Sequence, residues 1–427
     1  MGRDPLINQR TIAHIAKNSI YIMMGNALSA LITFIVFIYV ARMLDAASYG
    51  AYFTVMAYLA FFDVVATLGI TTVVVREGAK HMARTGEIVY NAMILRVITG
   101  TISLLICILM GVFIMPYSRV VKIMIVLTAP TLVINGIVTV ISSIFNIFED
   151  MKYIAIVQIG TRIVFGILVV TFMFMGRDIR YVALSYTLSA LFSVSPTYFF
   201  SRKFVRIEAK VRTEIWPWIL RPAIWFGVAS FLGTTYSKVD VIMLSLLSNM
   251  RNVGYYVVAN NIVVVMNIIS ASVATALFPI ITKSIHKGDI DLERIVEYTI
   301  IFYVIAILII IIMIVAAEKV VLVLYGDKYA QSIPVLQVLA WIFLVSFATI
   351  PSSLCVDALN LQKIHVFNAS IMSIVNVCLN YYLIPKWGTL GAAWATLSSW
   401  LVGFFMGMPL ALYFVNKKLV DMRAAKS

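Results

Sequence analysis

The chain has 427 residues, of which 62% are hydrophobic and only 12% charged, and its mean hydropathy is +0.99. Soluble domains sit near roughly 45–50% apolar and about 25% charged, so a water-soluble fold of this length is excluded and an all-α polytopic membrane protein is expected. The formal charge of +14 does not point to nucleic acid, because the basic residues lie mostly in short loops between apolar runs, where they set membrane orientation.

A helix needs about 20 apolar residues to cross a bilayer. Twelve such runs are expected: 19–41, 50–75, 88–115, 119–145, 153–175, 181–200, 222–248, 254–281, 297–317, 333–356, 366–384 and 391–415. The polar start "MGRDPLINQRTIAHIAKNS" leads into a first run too long for the core of a cleavable signal, so it reads as an uncleaved span. The longest polar connections are 201–221 and 282–296. The first divides the chain into an N-terminal six-helix lobe (1–200), a basic cytoplasmic linker (201–221) and a C-terminal six-helix lobe (222–427). Of the 30 loop Lys and Arg residues, 21 fall on the side that holds both termini and both long connections. That side is expected to be cytoplasmic.

Apart from Arg119 and Lys122 at the outer edge of the fourth run, only Arg96, Arg162 and Lys238 among the basic residues lie within the runs. An arginine facing lipid at such depths is disfavoured, so each should point into protein or a water-filled cavity. Arg suits phosphate because its planar fork can bond two oxygens at once. The plainer alternatives are interhelical salt bridges, or stems that reach back to the interface. Lys238 and Asp240 stand two residues apart, so on a helix they project to nearly opposite sides and cannot neutralise each other.

Asp63 and Asp240 are the candidates for coupling to a proton or sodium gradient, and Asp63 could equally be a structural partner of Arg96 or Arg162. Asn26, Tyr236, Asn260 and Asn267 are candidate glycan contacts, although most polar groups within spans serve helix packing. Asn376, Asn380 and Gln158 belong to the same polar set. Arg76, Glu77, Lys80 and Arg84 flank the inner end of the second run and suit anchoring to anionic lipid. The three cysteines and four histidines show no metal-ligand spacing, so no metal or cofactor is expected beyond a coupling H+ or Na+.

The halves echo each other. Setting Gly50 of "SYGAYFTVMAYLAFFDVVATLG" against Gly254 of "NVGYYVVANNIVVVMNIISAS" also aligns Tyr52 with Tyr256 and Asp63 with Asn267. Repeats of six spans would be parallel, with an axis along the membrane normal, as in several transporter folds.

Three stretches carry a family resemblance. "ARMLDAASYGAYFTVMAYLAFFDVVATLGITTVVVREGAK" resembles the N-terminal signature of polysaccharide-transport flippases, with its Ala-Arg pair, Tyr-Gly-x-Tyr, Leu-Gly and Arg-Glu. "KVDVIMLSLLSNMRNVGYYVVANNI" resembles the start of their second lobe. "VNVCLNYYLIPKWGTLGAAWATLSSW" resembles the family's most recognisable run. The superfamily also holds multidrug and toxin extrusion exporters and peptidoglycan-precursor flippases. The resemblance implies two six-helix lobes around a central cavity that opens alternately to each side. It also implies a polyprenyl (pyro)phosphate substrate bearing a short glycan, with the pyrophosphate held by Lys238, Arg162 and Arg96. Peptidoglycan-precursor flippases usually have fourteen spans, so twelve favour the oligosaccharide branch.

The implied partners are that lipid-linked oligosaccharide, membrane lipids and glycan-assembly enzymes. No nucleic acid is expected, and the chain is expected to act as a monomer. A membrane glycan polymerase or ligase would carry a large outer loop with acidic or histidine catalytic groups, whereas the long loops here are expected inside. No Gly-x-Ser-x-Gly, Walker or His-Glu-x-x-His pattern occurs, so an enzyme is not expected. A drug or cation exporter should have an acidic cavity, against three basic and two acidic embedded groups here. A non-transporting scaffold would leave those charges without a purpose.

Overall fold

The computed structural model describes residues 9–207, 209–287 and 292–424. The expected cytoplasmic placement of the two termini, and the middle of the 282–296 connection, fall at or beyond the edges of the described residues. Among these residues the regular secondary structure is all helical, with no strand. Nine helices among the described residues are long and apolar enough to cross a membrane, or ten when one bent pair is taken as a single span.

The helices follow the apolar runs closely, and most departures have a local cause. The first run is the helix α1 (Gln9–Met43). The second is broken: α2 (Ala46–Thr67) stops at Leu68 and Gly69, both with positive φ, and α3 (Ile70–Lys80) continues beyond them. A left-handed leucine is unfavourable by roughly 1–2 kcal/mol, so packing must hold this break. α4 (Thr85–Leu109) ends in one π turn, Met110–Ile114. The fourth run divides into α5 (Arg119–Thr128) and α6 (Thr131–Ile147) beside Pro130, which has no N–H to continue the ladder.

α7 (Lys152–Phe174) and α8 (Ile179–Ser201) complete the first half. Asp178 caps α8, accepting from the Arg180 backbone N–H at 3.0 Å, and the Arg180 guanidinium on its carboxylate holds that carboxyl below the usual range. α8 is long enough to span but carries Ser185, Ser189, Ser193, Ser195 and Thr197, which lower its apolarity.

α9 (Trp216–Leu247) begins six residues before the seventh apolar run, with Pro217 in its first turn where no N–H is needed. α10 (Met250–Lys287) and α11 (Leu292–Tyr325) follow. The tenth run is the bent pair α12 (Ser332–Ala348) and α13 (Ile350–Ala358), joined at 44° with Pro351 at the start of α13. α14 (Lys363–Ala424) covers the last two runs. Its 62 residues are about three times what one crossing needs, and Gly388 breaks it with a φ of 54°. Pro196 and Pro409 stay inside continuous helices.

The chain forms two compact units. The first comprises residues 1–44 and 58–231, the second 45–57 and 232–427. In the first, α1 packs on α7, α7 on α8, and α6 on α4, α8 and α3. One buried cluster there joins Ile70 and Val74 of α3, Leu95 of α4 and Ile144 of α6 to Ala223 of α9. The Leu68–Gly69 break lies against this part of α9. A Cβ on Gly69 would stand 2.6 Å from the Ala223 carbonyl, and one on Gly227 would stand 3.1 Å from the Leu68 Cα. Asn91 binds the connection between the halves to α4: its amide donates to the Lys210 carbonyl (2.9 Å) and accepts from the Arg212 N–H (2.8 Å) and Trp216 Nε1 (3.2 Å).

In the second unit α12 packs on α10, α11 and α14, and α13 on α10. The glycines of the internal echo meet here. A side chain on Gly50 would collide with the Met250 carbonyl, and one on Gly254 with the Ala46 carbonyl. Each carbonyl lies four residues before the other glycine, so the two helix starts make the same contact in both directions. Gly403 and Gly407 admit Met372 and Asn368 in the same way, which is the close packing a small-xxx-small pattern allows.

Candidate functional site

The embedded charges fall into two groups, one in each unit. In the first unit, Arg96 of α4 is 1% exposed, and its guanidinium lies on Gly136 of α6, where a Cβ would stand 3.3 Å from Nε. Its Nε and Nη1 have no hydrogen-bond partner, and neither has the buried Oδ1 of Asp63 on α2. The two groups interact through their charges rather than through a bonded contact. A buried guanidinium without a fitted partner is costly, and the opposite charge close by offsets part of that cost.

Tyr186 of α8 connects this pair to Arg162 of α7. Its hydroxyl is near enough to Asp63 and Arg162 to feel both charges, and it lies beside the Asn135 amide. Asp63 and Arg162, two separate candidates in the sequence, thus act on one tyrosine, and Arg96 joins them through Asp63. Arg162 itself has no carboxylate partner among the described residues and lines a cavity of about 410 Å3.

The second unit holds Asp240 of α9, 5% exposed and inside a closed set of hydrogen bonds. Its Oδ2 accepts from the Tyr256 hydroxyl (2.9 Å) and the Thr396 hydroxyl (3.0 Å), and its Oδ1 accepts from the Asn380 amide (2.6 Å). Asn380 also donates to Asn376 Oδ1 at 2.9 Å. Three helices, α9, α10 and α14, therefore meet on one carboxylate. No basic residue pairs with it among the described residues, and the Asn380 Oδ1 nearby has no donor. A carboxylate held only by neutral donors, next to an unused amide oxygen, offers hard oxygen atoms to a small cation or a seat for a proton.

Lys238 is exposed on α9 and makes no ion pair among the described residues. Tyr236, one turn before Asp240, is close enough to interact with its charge and has a buried hydroxyl without a partner. Asn267 accepts from Ser346 at 2.9 Å and so ties α10 to α12. Asn26 is exposed and Asn260 half-buried. Tyr186, Tyr256 and Thr396 were missed as site residues. Tyr256 stood in the internal echo and Thr396 in the "GAAWATLSSW" stretch, but nothing local marks either as a partner of a charge 16 or 156 residues away.

Comparisons with known proteins agree on the architecture. Residues 15–285, more than half of the chain, match a family model described as polysaccharide biosynthesis protein. An uncharacterized membrane protein of Methanocaldococcus jannaschii is 22% identical over 92% of this chain and 82% of its own length. A probable low-salt glycan biosynthesis flippase of Haloferax volcanii, Agl15, is 23% identical over 45% of this chain and 41% of its own. Among solved structures, the lipid II flippase MurJ in an inward closed conformation superposes with a TM-score of 0.76 at 12% identity, covering 95% of this chain and 91% of that one. An inward-facing multidrug resistance MATE family transporter of the MOP superfamily gives 0.68 at 14% identity, over 91% and 95%. Identities this low carry the fold alone.

Proposed function

Because the chain belongs to the polysaccharide biosynthesis protein family, we propose that it is a flippase moving a polyprenyl-(pyro)phosphate-linked oligosaccharide from the inner to the outer leaflet by alternating access. It has a transporter's fold rather than an enzyme's. The observation that carries the substrate reading is that Arg162 and Lys238 sit within spans with no carboxylate partner among the described residues. Unpaired cations at such depth cost roughly 2.5–3.5 kcal/mol each on insertion scales, a cost that makes sense where an anionic substrate arrives to meet them. The carrier's phosphates provide that charge while its prenyl tail remains in lipid. Arg96, nearly enclosed beside Asp63, lies on Gly136 and ties α4 to α6 in the first unit.

Asp240 is the ion-coupling residue in this reading. Its cage holds the carboxylate either protonated or around a sodium ion, and the choice decides which conformation the second unit prefers. Asp63 is the other coupling group, with Arg96 as its counter-charge. The protein resides in the cell membrane with both termini cytoplasmic, which the loop charges support. A reporter active only outside, fused after Ser427, should be silent; a signal there would reverse the orientation and with it the direction of transport.

The reading is tested by reconstituting the purified chain into liposomes with lipid-linked oligosaccharides and measuring leaflet exposure with a membrane-impermeant glycan-modifying probe. Protein-dependent loss of protection is expected. If protection persists with every lipid-linked glycan while a lipophilic cation is exported, the drug-exporter alternative is correct instead.

A further inference from the structure

The cavity beside Arg162 lies wholly within the first unit, and three helices turn polar stripes toward it. Asn135, Thr139, Ser142 and Asn146 recur on α6 at steps of four, three and four residues, which is one helix face. Gln158, Thr161 and Arg162 approach from α7, and Tyr186, Ser189 and Ser193 from α8. At about 410 Å3 the space holds on the order of a dozen waters and falls in the roughly 300–1,000 Å3 range of small-molecule pockets. Stripes like these are costly in a membrane helix unless something polar occupies the space they share.

The hydrogen-bond directions specify what that occupant must offer. Thr139 gives its proton to the Asn135 carbonyl (2.8 Å), Thr161 to Val157 (2.7 Å), Ser189 to Tyr186 (2.8 Å) and Ser193 to Ala190 (2.6 Å). With their protons committed to the backbone, these four hydroxyl oxygens face the cavity as acceptors. The side chains of Asn146 and Gln158 and the guanidinium of Arg162 add donors. A phosphate alone has no donors for the acceptors, and a hydrocarbon has neither kind of group. A sugar presents hydroxyls that both give and accept.

We propose that this cavity is a monosaccharide-binding site, taking one pyranose of the glycan, with Arg162 meeting an anionic oxygen attached to that ring. This rests on the flippase reading for its role in transport, but sugar binding can be measured without it.

The test uses the detergent-purified full chain and a panel of soluble probes: methyl glycosides of hexoses, N-acetylhexosamines and hexuronates, and hexose 1-phosphates. Saturation-transfer NMR measures binding, and flipping is assayed separately. At least one probe should bind, and Thr139→Val, which keeps shape but removes the acceptor, should weaken it about threefold to tenfold. Ser193→Ala, a second single acceptor removed without added bulk, should act in the same direction. Arg162→Gln should reduce binding of either the hexuronate or the 1-phosphate while sparing the neutral glycosides, and the affected probe identifies the source of the negative charge. No binding across the panel, or binding unchanged in both hydroxyl variants while circular dichroism shows them folded, would overturn the proposal. Sugar binding without flipping of any lipid-linked glycan leaves the site in place and removes only the transport reading.

Discussion

Asp240→Leu is expected to remove the protein from the membrane, or leave it aggregated in detergent, because it strips the acceptor from three buried donors at once. Tyr256, Asn380 and Thr396 would each lose a bond to the carboxylate, and a buried polar group left unsatisfied costs about 1–3 kcal/mol. Thr396 keeps the Ala392 carbonyl (2.8 Å) and Tyr256 can turn to the Thr396 hydroxyl (3.1 Å). The Asn380 N–H is therefore the group stranded against the new methyls, a large loss beside the whole stability of a typical domain, about 5–15 kcal/mol. Asp240→Asn separates structure from coupling. Its amide oxygen still accepts from two of these groups, while its NH2 confronts the Asn380 amide or turns toward the unused Asn380 Oδ1. Abundance should therefore stay within about twofold of wild type, and flipping should lose its dependence on the imposed H+ or Na+ gradient. Fluorescence-detection size exclusion reads the first and gradient-driven liposomes the second. If Asp240→Asn flips substrate with full gradient dependence, the cage is purely structural.

The second large effect concerns Lys238. Since it pairs with no carboxylate among the described residues, Lys238→Ala leaves no buried charge stranded, and abundance should remain close to wild type. Flipping should fall by roughly tenfold to a hundredfold, the equivalent of losing one charge-assisted contact of about 1.5–3 kcal/mol. Lys238→Arg should keep much of the activity, though a planar fork replaces a compact ammonium. Quantified membrane levels and initial flipping rates in the same preparations give both numbers. Wild-type flipping in well-expressed Lys238→Ala would mean that the lysine meets water or headgroups and not the substrate.

The apolar runs made the helices legible, because crossing a bilayer demands length and composition that nothing else in the chain imitates. Breaks were legible only where chemistry forces them. Pro130 and Pro351 stand at two, yet Pro196 and Pro409 stay inside continuous helices, and the break at Leu68–Gly69 depends on Ala223 and Gly227 approaching from far along the chain. The same limit applies to the charges. That Asp240 and Lys238 could not neutralise each other followed from their spacing, but the cage around Asp240 comes from Tyr256 on the next helix and from Asn380 and Thr396 of α14, 140 or more positions away, and such partners leave no local mark. The α6 stripe is different. Asn135, Thr139, Ser142 and Asn146 carry a plain helical period, but each is mild and uncharged, and such groups within spans usually serve helix packing.

Residues 45–57 belong to the second unit, although the 174 residues that follow them build the first. For synthesis this means the early segment must wait. Its partner at Met250 and Gly254 leaves the ribosome nearly 200 residues later, on the order of 10–40 s at about 5–20 residues per second. The first unit waits too, because Ala223, which packs at the Leu68–Gly69 break, emerges only after its other helices are already inserted. Neither unit can finish before translation has entered the other, so the start of α2 is held as an unfinished surface throughout that interval. Insertion factors would have to shield that surface until α10 arrives.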